Sequence, residues 1–186
     1  MRVDLYALLG LLLAKPASAQ TLEALGGLVG EDSEIGHAVN TLAGLARKMA
    51  PKTIESEFNA LFIGLGRGEL LPYASFYMTG FLNEKPLAQL RRDMKGIGIT
   101  RAENVYEPED NIASLCEMMA GLISGAFGQV ASLKQQNDFF RVHLGPWAAH
   151  FFSDLEAAQS SVFYAPVGTI GRLFVQIESE AFRIEA

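Results

Sequence analysis

An all-helical fold is predicted for this 186-residue chain by three observations. Ala, Leu, Met, Glu and Gln abound while β-branched residues are few, a balance that favours helix nearly throughout. Two long segments repeat their apolar residues at steps of three and four, one through Ile112, Leu115, Cys116, Met119, Leu122, Ile123 and Ala126, the other through Phe163, Val167, Ile170, Phe174, Ile177 and Ala181. The hydrophobic content of 49% is enough to enclose a sizeable core.

Eight to ten helices are expected, and breakers place their ends. The first, residues 2–15, carries Leu5, Leu8, Leu9, Leu12 and Leu13 at helical spacing and stops at Lys15-Pro16. The same stretch has features of an export leader: Arg2, an apolar run from Leu5 to Ala14, and Ala17-Ser18-Ala19 in the small-x-small form of a cleavage site. Asp4 stands where such a leader is cationic, so the segment is read as the first core helix of a cytoplasmic protein. Helices follow at about 20–28, 33–49, 52–63, 74–81 and 85–95, the last closed by Gly96 and Gly98. Residues 109–127 form the next, with Pro108 in a first-turn position, and Gly145-Pro146 separates 131–143 from 146–159. The chain ends in a helix at 162–184. The stretch Gly96–Tyr106 has no period, so a hinge near 96–108 is expected between an N-terminal lobe of about 1–98 and a C-terminal lobe of about 106–186. No apolar run approaches the ~20 residues that cross a bilayer.

A net charge of −6 and a pI near 5.1 argue against nucleic acid, whose phosphates need a basic face, and fit a cationic partner. The one cysteine, Cys116, excludes an internal disulfide, suits a reducing compartment and lies on an apolar stripe, where it is inert core.

Three segments carry the functional argument. In EFNALFIGLGRGELLPYASFY, from Glu57 to Tyr77, the residues Phe58, Leu61 and Phe62 share a helical face beside Gly64, Gly66 and Gly68, and Pro72, Tyr73, Ser75 and Tyr77 follow. That arrangement forms either ordinary core or one wall of an apolar groove. The glycine loop lacks the Lys-Ser/Thr of a P-loop and follows no strand, which counts against a phosphate cradle. In Glu107–Asn111, the acids Glu107, Glu109 and Asp110 either cap a helix N-terminus or face a groove and take arginines as forked partners. The third segment, FFRVHLGPWAAHFF from Phe139, is a dense aromatic corner that reads as core. His143, His150 and Asp154 lack metal-site spacing, and no Ser, Cys or Lys has a catalytic context, so a non-enzymatic binding protein is expected.

In this order and at these separations, the three segments resemble the TorD/DmsD/NarJ family of chaperones for molybdenum-containing redox enzymes, closest to its TorD-like group, over most of the chain. The resemblance implies an all-helical cytoplasmic chaperone that binds the twin-arginine signal peptide of a molybdopterin oxidoreductase and delays export until cofactor insertion and assembly are complete. Carried onto this sequence, the peptide site comprises Phe58, Leu61, Phe62, Pro72, Tyr73, Ser75, Tyr77, Glu107, Asp110 and Asn111. Asn111 occupies the place where the family typically has a histidine, which removes a titratable cation. The resemblance implies no permanently bound cofactor, a weak guanine-nucleotide or molybdopterin-precursor interaction at most, and a monomer or a homodimer that can exchange helices. Two alternatives differ in class: a nucleotide-binding switch or small enzyme using the Gly64–Gly68 loop, and a structural assembly subunit of a redox complex.

Overall fold

The computed structural model describes residues 2–101, 103 and 105–184. It has ten α-helices: α1 (Arg2–Ala14), α2 (Ala19–Gly26), α3 (Glu34–Lys48), α4 (Pro51–Phe58), α5 (Ala74–Thr79), α6 (Lys85–Gly96), α7 (Ile112–Ser124), α8 (Leu133–His143), α9 (Ala148–Ala157) and α10 (Ala165–Ile184). A π-helical turn, Asn59–Ile63, prolongs α4. Among the described residues there is no strand, only an isolated bridge between Tyr73 and Asn111. No described helix is long and apolar enough to cross a membrane.

The described helices divide into two compact units that are discontinuous in sequence, residues 2–14 with 72–148 and residues 15–71 with 149–184. The stretch read as a hinge, 96–108, is internal to the first unit, and its Ala102 and Asn104 lie outside the described residues.

In the first unit α7 is the central helix. Ile112, Ala113, Leu115, Cys116, Met118, Met119 and Leu122 are all buried, a wider face than one stripe. The expected stripe runs too far at its end. Ile123 is half-buried, and Ala126 is exposed because Gly125, in the left-handed conformation at φ 81°, has already ended the helix. Burial pushes the Cys116 thiol far above its ordinary range, so it remains a protonated core group. Helix α1 packs along α7, burying Tyr6, Leu9, Leu12 and Leu13. Helices α6 and α8 are clasped by His143, whose Nε2 lies 2.9 Å from Asp93 Oδ2, and Trp147 Nε1 donates to the His143 carbonyl at 2.7 Å.

In the second unit α3 packs against α2 and α10. The buried face of α10 runs through Val167, Ile170, Gly171, Phe174, Val175, Glu178 and Phe182, while Ile177 and Ala181, expected in the core, are exposed. The error is one of phase. An α-helix turns 100° per residue, so a face tracked by steps of four from Gly171 through Val175 drifts away from one tracked through Ile177. Glycines let α9 and α10 approach closely: a Cβ at Gly168 would sit 2.6 Å from the Glu156 amide nitrogen, and one at Gly171 would sit 2.3 Å from the Phe152 ring.

Glu57 ties this unit together. Its carboxylate is buried on α4 and accepts from the backbone N–H groups of Val162, Phe163 and Tyr164 at 2.8–3.1 Å, just before α10 begins. Glu69 does the same for Gln159 and Ser160 at 2.6 and 3.0 Å.

Two predictions follow from these clasps. Hydrogen bonds to a charged group contribute ~1.5–3 kcal/mol each, so Glu57→Ala, which orphans three buried or half-buried donors, should lower stability in a urea titration by roughly 4 kcal/mol or more; a loss below ~1 kcal/mol would mean that water replaces the carboxylate. The second concerns pH. Burial lowers the His143 imidazole from its usual 6.5, against the opposing hydrogen bond and charge of Asp93. Below about pH 6.5 the unfolded chain then binds a proton that the folded chain does not, so stability should fall as pH drops through that value and be insensitive to His143 above it. Melting curves from pH 8 to 5 should show this slope, and His143→Gln should flatten it; the lowered carboxyls of Glu109 and Glu156 act only below about 4.5.

Candidate functional site

Two helix N-termini meet in the first unit. Every α-helix leaves its first amides without internal partners, and here α5 and α7 cap each other. Ala74 N–H donates to the Asp110 carbonyl at 2.9 Å and Ile112 N–H donates to the Pro72 carbonyl at 2.8 Å, which makes the Tyr73–Asn111 bridge. The next amide of each helix goes to a side chain. Ser75 N–H donates to Asp110 Oδ2 at 2.8 Å, and Ala113 N–H donates to Asn111 Oδ1 at 2.9 Å. The Ser75 hydroxyl adds a second bond to the same Asp110 oxygen. Asp110 is therefore the cap of a helix 35 residues away, a role that Tyr73, the local N-cap residue, does not fill with its own side chain.

This knot sorts the expected site residues. Pro72, Ser75, Asp110 and Asn111 are buried within it, with Asp110 only 1% exposed. Tyr73 and Tyr77 are half-buried, and Glu107 is exposed. The Tyr73 hydroxyl donates to Glu107 Oε1. Burial, helped by the hydrogen bond and charge of Glu107, pushes that phenol far above its ordinary range, so it stays a donor. Tyr77 packs on Trp147 with ring centroids 5.3 Å apart. Phe58, Leu61 and Phe62 belong to the other unit. There Phe58 and Leu61 are buried, and Phe58, Phe62 and Tyr164 form an aromatic triad with centroids 4.9–5.9 Å apart.

The remaining acid of the segment, Glu109, is held by two arginines of this chain. Arg91 Nε and Nη2 donate to Glu109 Oε2 at 3.0 and 2.8 Å, and Arg101 Nη1 lies 3.8 Å from Oε1. Burial alone would raise the Glu109 carboxyl, but the Arg91 hydrogen bond, its own amide and the two guanidinium charges outweigh burial and hold it below the usual range. From the far end of α5, Met78, Phe81 and Leu82 present an exposed apolar shelf. Beside it, a cavity of about 460 Å³ opens among Met78, Lys85, Pro86, Arg92, Val142 and His143.

The glycine loop is explained by packing. A Cβ at Gly64 would sit 1.9 Å from the Arg67 carbonyl oxygen and one at Gly68 would sit 2.5 Å from Phe62 backbone, while Glu69 and Leu70 amides donate back to the Ala60 and Leu61 carbonyls. The loop folds tightly onto the π turn.

Residues 30–153 match the family model described as nitrate reductase delta subunit. The chaperone protein TorD of Vibrio cholerae is 31% identical over 88% of this chain and 80% of its own length. The chain belongs to the nitrate reductase delta subunit family. The TorD of Vibrio parahaemolyticus is 26% identical over 96% of this chain and 93% of its own. A crystal structure of a redox enzyme maturation protein from Archaeoglobus fulgidus, 18% identical, covers 95% of the chain with a TM-score of 0.62, which confirms the all-helical fold. The relatives of this chain are chaperones named TorD, and its fold is that of the Archaeoglobus fulgidus protein.

Reading this delta-subunit family member from sequence missed Arg91, Arg101 and Glu57. Glu57 left a signal, a carboxylate between Ile54 and Phe58 on the apolar side of α4, where a buried acid demands partners. Arg91 left none, because its partner lies 18 residues away. Asp110→Asn keeps a carbonyl for the Ser75 amide and should cost about 1 kcal/mol in a urea titration, whereas Asp110→Ala orphans that buried amide and should cost about 3 kcal/mol. Equal losses would show that the charge, and not the acceptor, is what Ser75 requires.

Proposed function

We propose that this chain is a cytoplasmic chaperone that holds the twin-arginine leader of a molybdopterin oxidoreductase until cofactor insertion and assembly are complete. The observation that supports the reading most is the exposed Glu107 carboxylate, positioned by Tyr73 at one end of α5, with the Met78, Phe81 and Leu82 shelf at the other. From Tyr73 to Met78 is about 8 Å at 1.5 Å per helical residue, a distance that two or three residues of extended chain cover. An arginine on Glu107 therefore sets an apolar residue, two or three positions on, over the shelf. Tyr77, Pro72, Ser75, Asp110 and Asn111 hold that geometry, whereas Phe58 and Leu61 are buried core of the other unit and Phe62 packs on Phe58, so these three take no part in the reading. The relatives are named chaperones, and no residue is assigned a chemical step.

The energies suit a transient hold. A charge-assisted hydrogen bond contributes ~1.5–3 kcal/mol and apolar burial ~25 cal/mol per Å², so after ordering costs a total near −8 kcal/mol, micromolar affinity, is within reach.

The test is calorimetric. A peptide with two adjacent arginines and an apolar segment should bind the chain, and replacing both arginines by glutamine should weaken it at least about tenfold, equivalent to ~1.4 kcal/mol. Glu107→Gln should weaken the arginine peptide in the same direction while leaving the melting temperature unchanged, because its side chain lies at the surface. Equal affinity for the two peptides would sink the reading.

A further inference from the structure

Beside the exposed Glu107, a second acid that a diarginine ligand would seek, Glu109, is already occupied by this protein's own arginines. Glu109 has a side chain only 10% exposed, yet what covers it includes the side chains of Arg91 and Arg101, which are themselves 52% and 35% exposed. The coordination is incomplete. A guanidinium fork normally meets both oxygens of a carboxylate, but Arg91 spends Nε and Nη2 on Oε2 alone. The nearest cation to Oε1, Arg101 Nη1 at 3.8 Å, is beyond hydrogen-bond range, because Arg101 turns its Nη2 to the Glu107 carbonyl at 2.9 Å. Asp110 stands next to Glu109 with Oδ1 buried without a hydrogen-bond partner, and its charge bears on both Arg91 and Tyr73. Two successive acids thus bear on Arg91, and Arg91 meets the nearer of them through one oxygen only.

We infer that Arg91 and Arg101 are internal stand-ins for the two arginines of the ligand, holding Glu109 covered in the free protein and yielding it only to an arriving pair. The inference rests on the leader reading above. Exchanging guanidinium for guanidinium conserves charge and hydrogen bonds, so displacement is nearly neutral, and a better-aligned fork gains the contact to Oε1. The displaced groups have somewhere to go. Arg91 already projects half into solvent from α6, and Arg101 sits in the non-helical connection to α7, so neither release disturbs the core. Both stand-ins are tethered and compete at high effective concentration, so a lone arginine or lysine is excluded while two linked guanidinium groups are not. Selectivity for a pair follows from competition, without a pocket shaped for each side chain.

The experiment titrates a diarginine peptide, its single-arginine form and its diglutamine form into the full chain and into Arg101→Gln and Arg91→Gln. Removing a stand-in should tighten the diarginine peptide by a factor on the order of ten, the penalty that a self-occluded site imposes, and should narrow the gap between diarginine and single-arginine peptides. Affinity that falls or stays level in both variants, while the unmutated chain still prefers arginine to glutamine, would overturn the inference and leave the leader reading standing. Indifference of every protein to the arginines would overturn both. Arg91→Gln uncovers Glu109 and can weaken the fold, so the unmutated protein supplies a second readout. The NMR signal of Arg91 Nε–H should be protected in the free chain and lose protection when the diarginine peptide binds; a signal that stays protected at saturation would overturn the inference.

Discussion

The geometry of the first unit depends on how two helix N-termini dispose of their orphan amides. Where α5 and α7 meet, local capping is incomplete: Tyr73 precedes α5 and offers no side-chain acceptor. The chain resolves this by exchange, two main-chain bonds across Tyr73 and Asn111 and two side-chain caps, Asp110 for α5 and Asn111 for α7. An uncapped buried amide costs ~1–3 kcal/mol, so four such bonds weigh heavily against a net stability of ~5–15 kcal/mol. The proposed peptide surface is a by-product of this arrangement. Once Pro72 to Ser75 and Asp110 to Ile112 are fixed against each other, Tyr73 and Glu107 have few places to point, and their hydrogen bond forms on the outer side of the knot.

The second unit repeats the device with longer side chains. Glu57 gathers three amides and Glu69 two more, so the turn before α10 is held by acids from α4 and from the end of the glycine loop. The π turn belongs to the same construction. A π turn holds more residues than an α turn, and the wider coil ends with Gly64 N–H donating to the Asn59 carbonyl at 2.7 Å before the loop folds back. Gly64 and Gly68 are needed because backbone approaches backbone there, which leaves no cradle to explain by a phosphate.

The order and ends of the helices were legible because punctuation is local. Lys15-Pro16, Gly96 and Gly145-Pro146 act within a turn of the residues they interrupt, and α1, α6 and α8 end within a residue or so of where those breakers put them. Burial was legible only where the stripe was short. On α10 a count in threes and fours led to Ile177 and Ala181, while the buried face ran to Glu178 and Phe182. The site was partly legible. That Asp110 matters could be read from an acid beside a helix start, but not that it caps α5 instead of α7, because the identity of the helix that receives a remote cap is a tertiary fact. The pairing of Arg91 with Glu109 was hidden for the same reason, as was the discontinuity of the two units, which follows from α1 packing on α7 and α10 packing on α3.

Sequence alone suggests an acidic patch of three carboxylates, and a patch of that charge would bind cations tightly and with little selectivity. The structure leaves far less on offer. Asp110 spends Oδ2 on Ser75 and lies 1% exposed, Glu109 is covered by Arg91 and Arg101, and of the three only Glu107 meets solvent, already accepting from Tyr73. A net charge of −6 would draw the proposed cationic segment toward the molecule, while the short-range attraction open at the free surface is that of about one carboxylate and an apolar shelf. Steering falls off with salt while burial on Met78, Phe81 and Leu82 does not. On the proposed reading, such a receptor would capture quickly, hold weakly unless both the charged and the apolar parts engage, and release when either is withdrawn. The proposed handover of a client requires such kinetics, and they would arise because most of the acids are already spent on the fold.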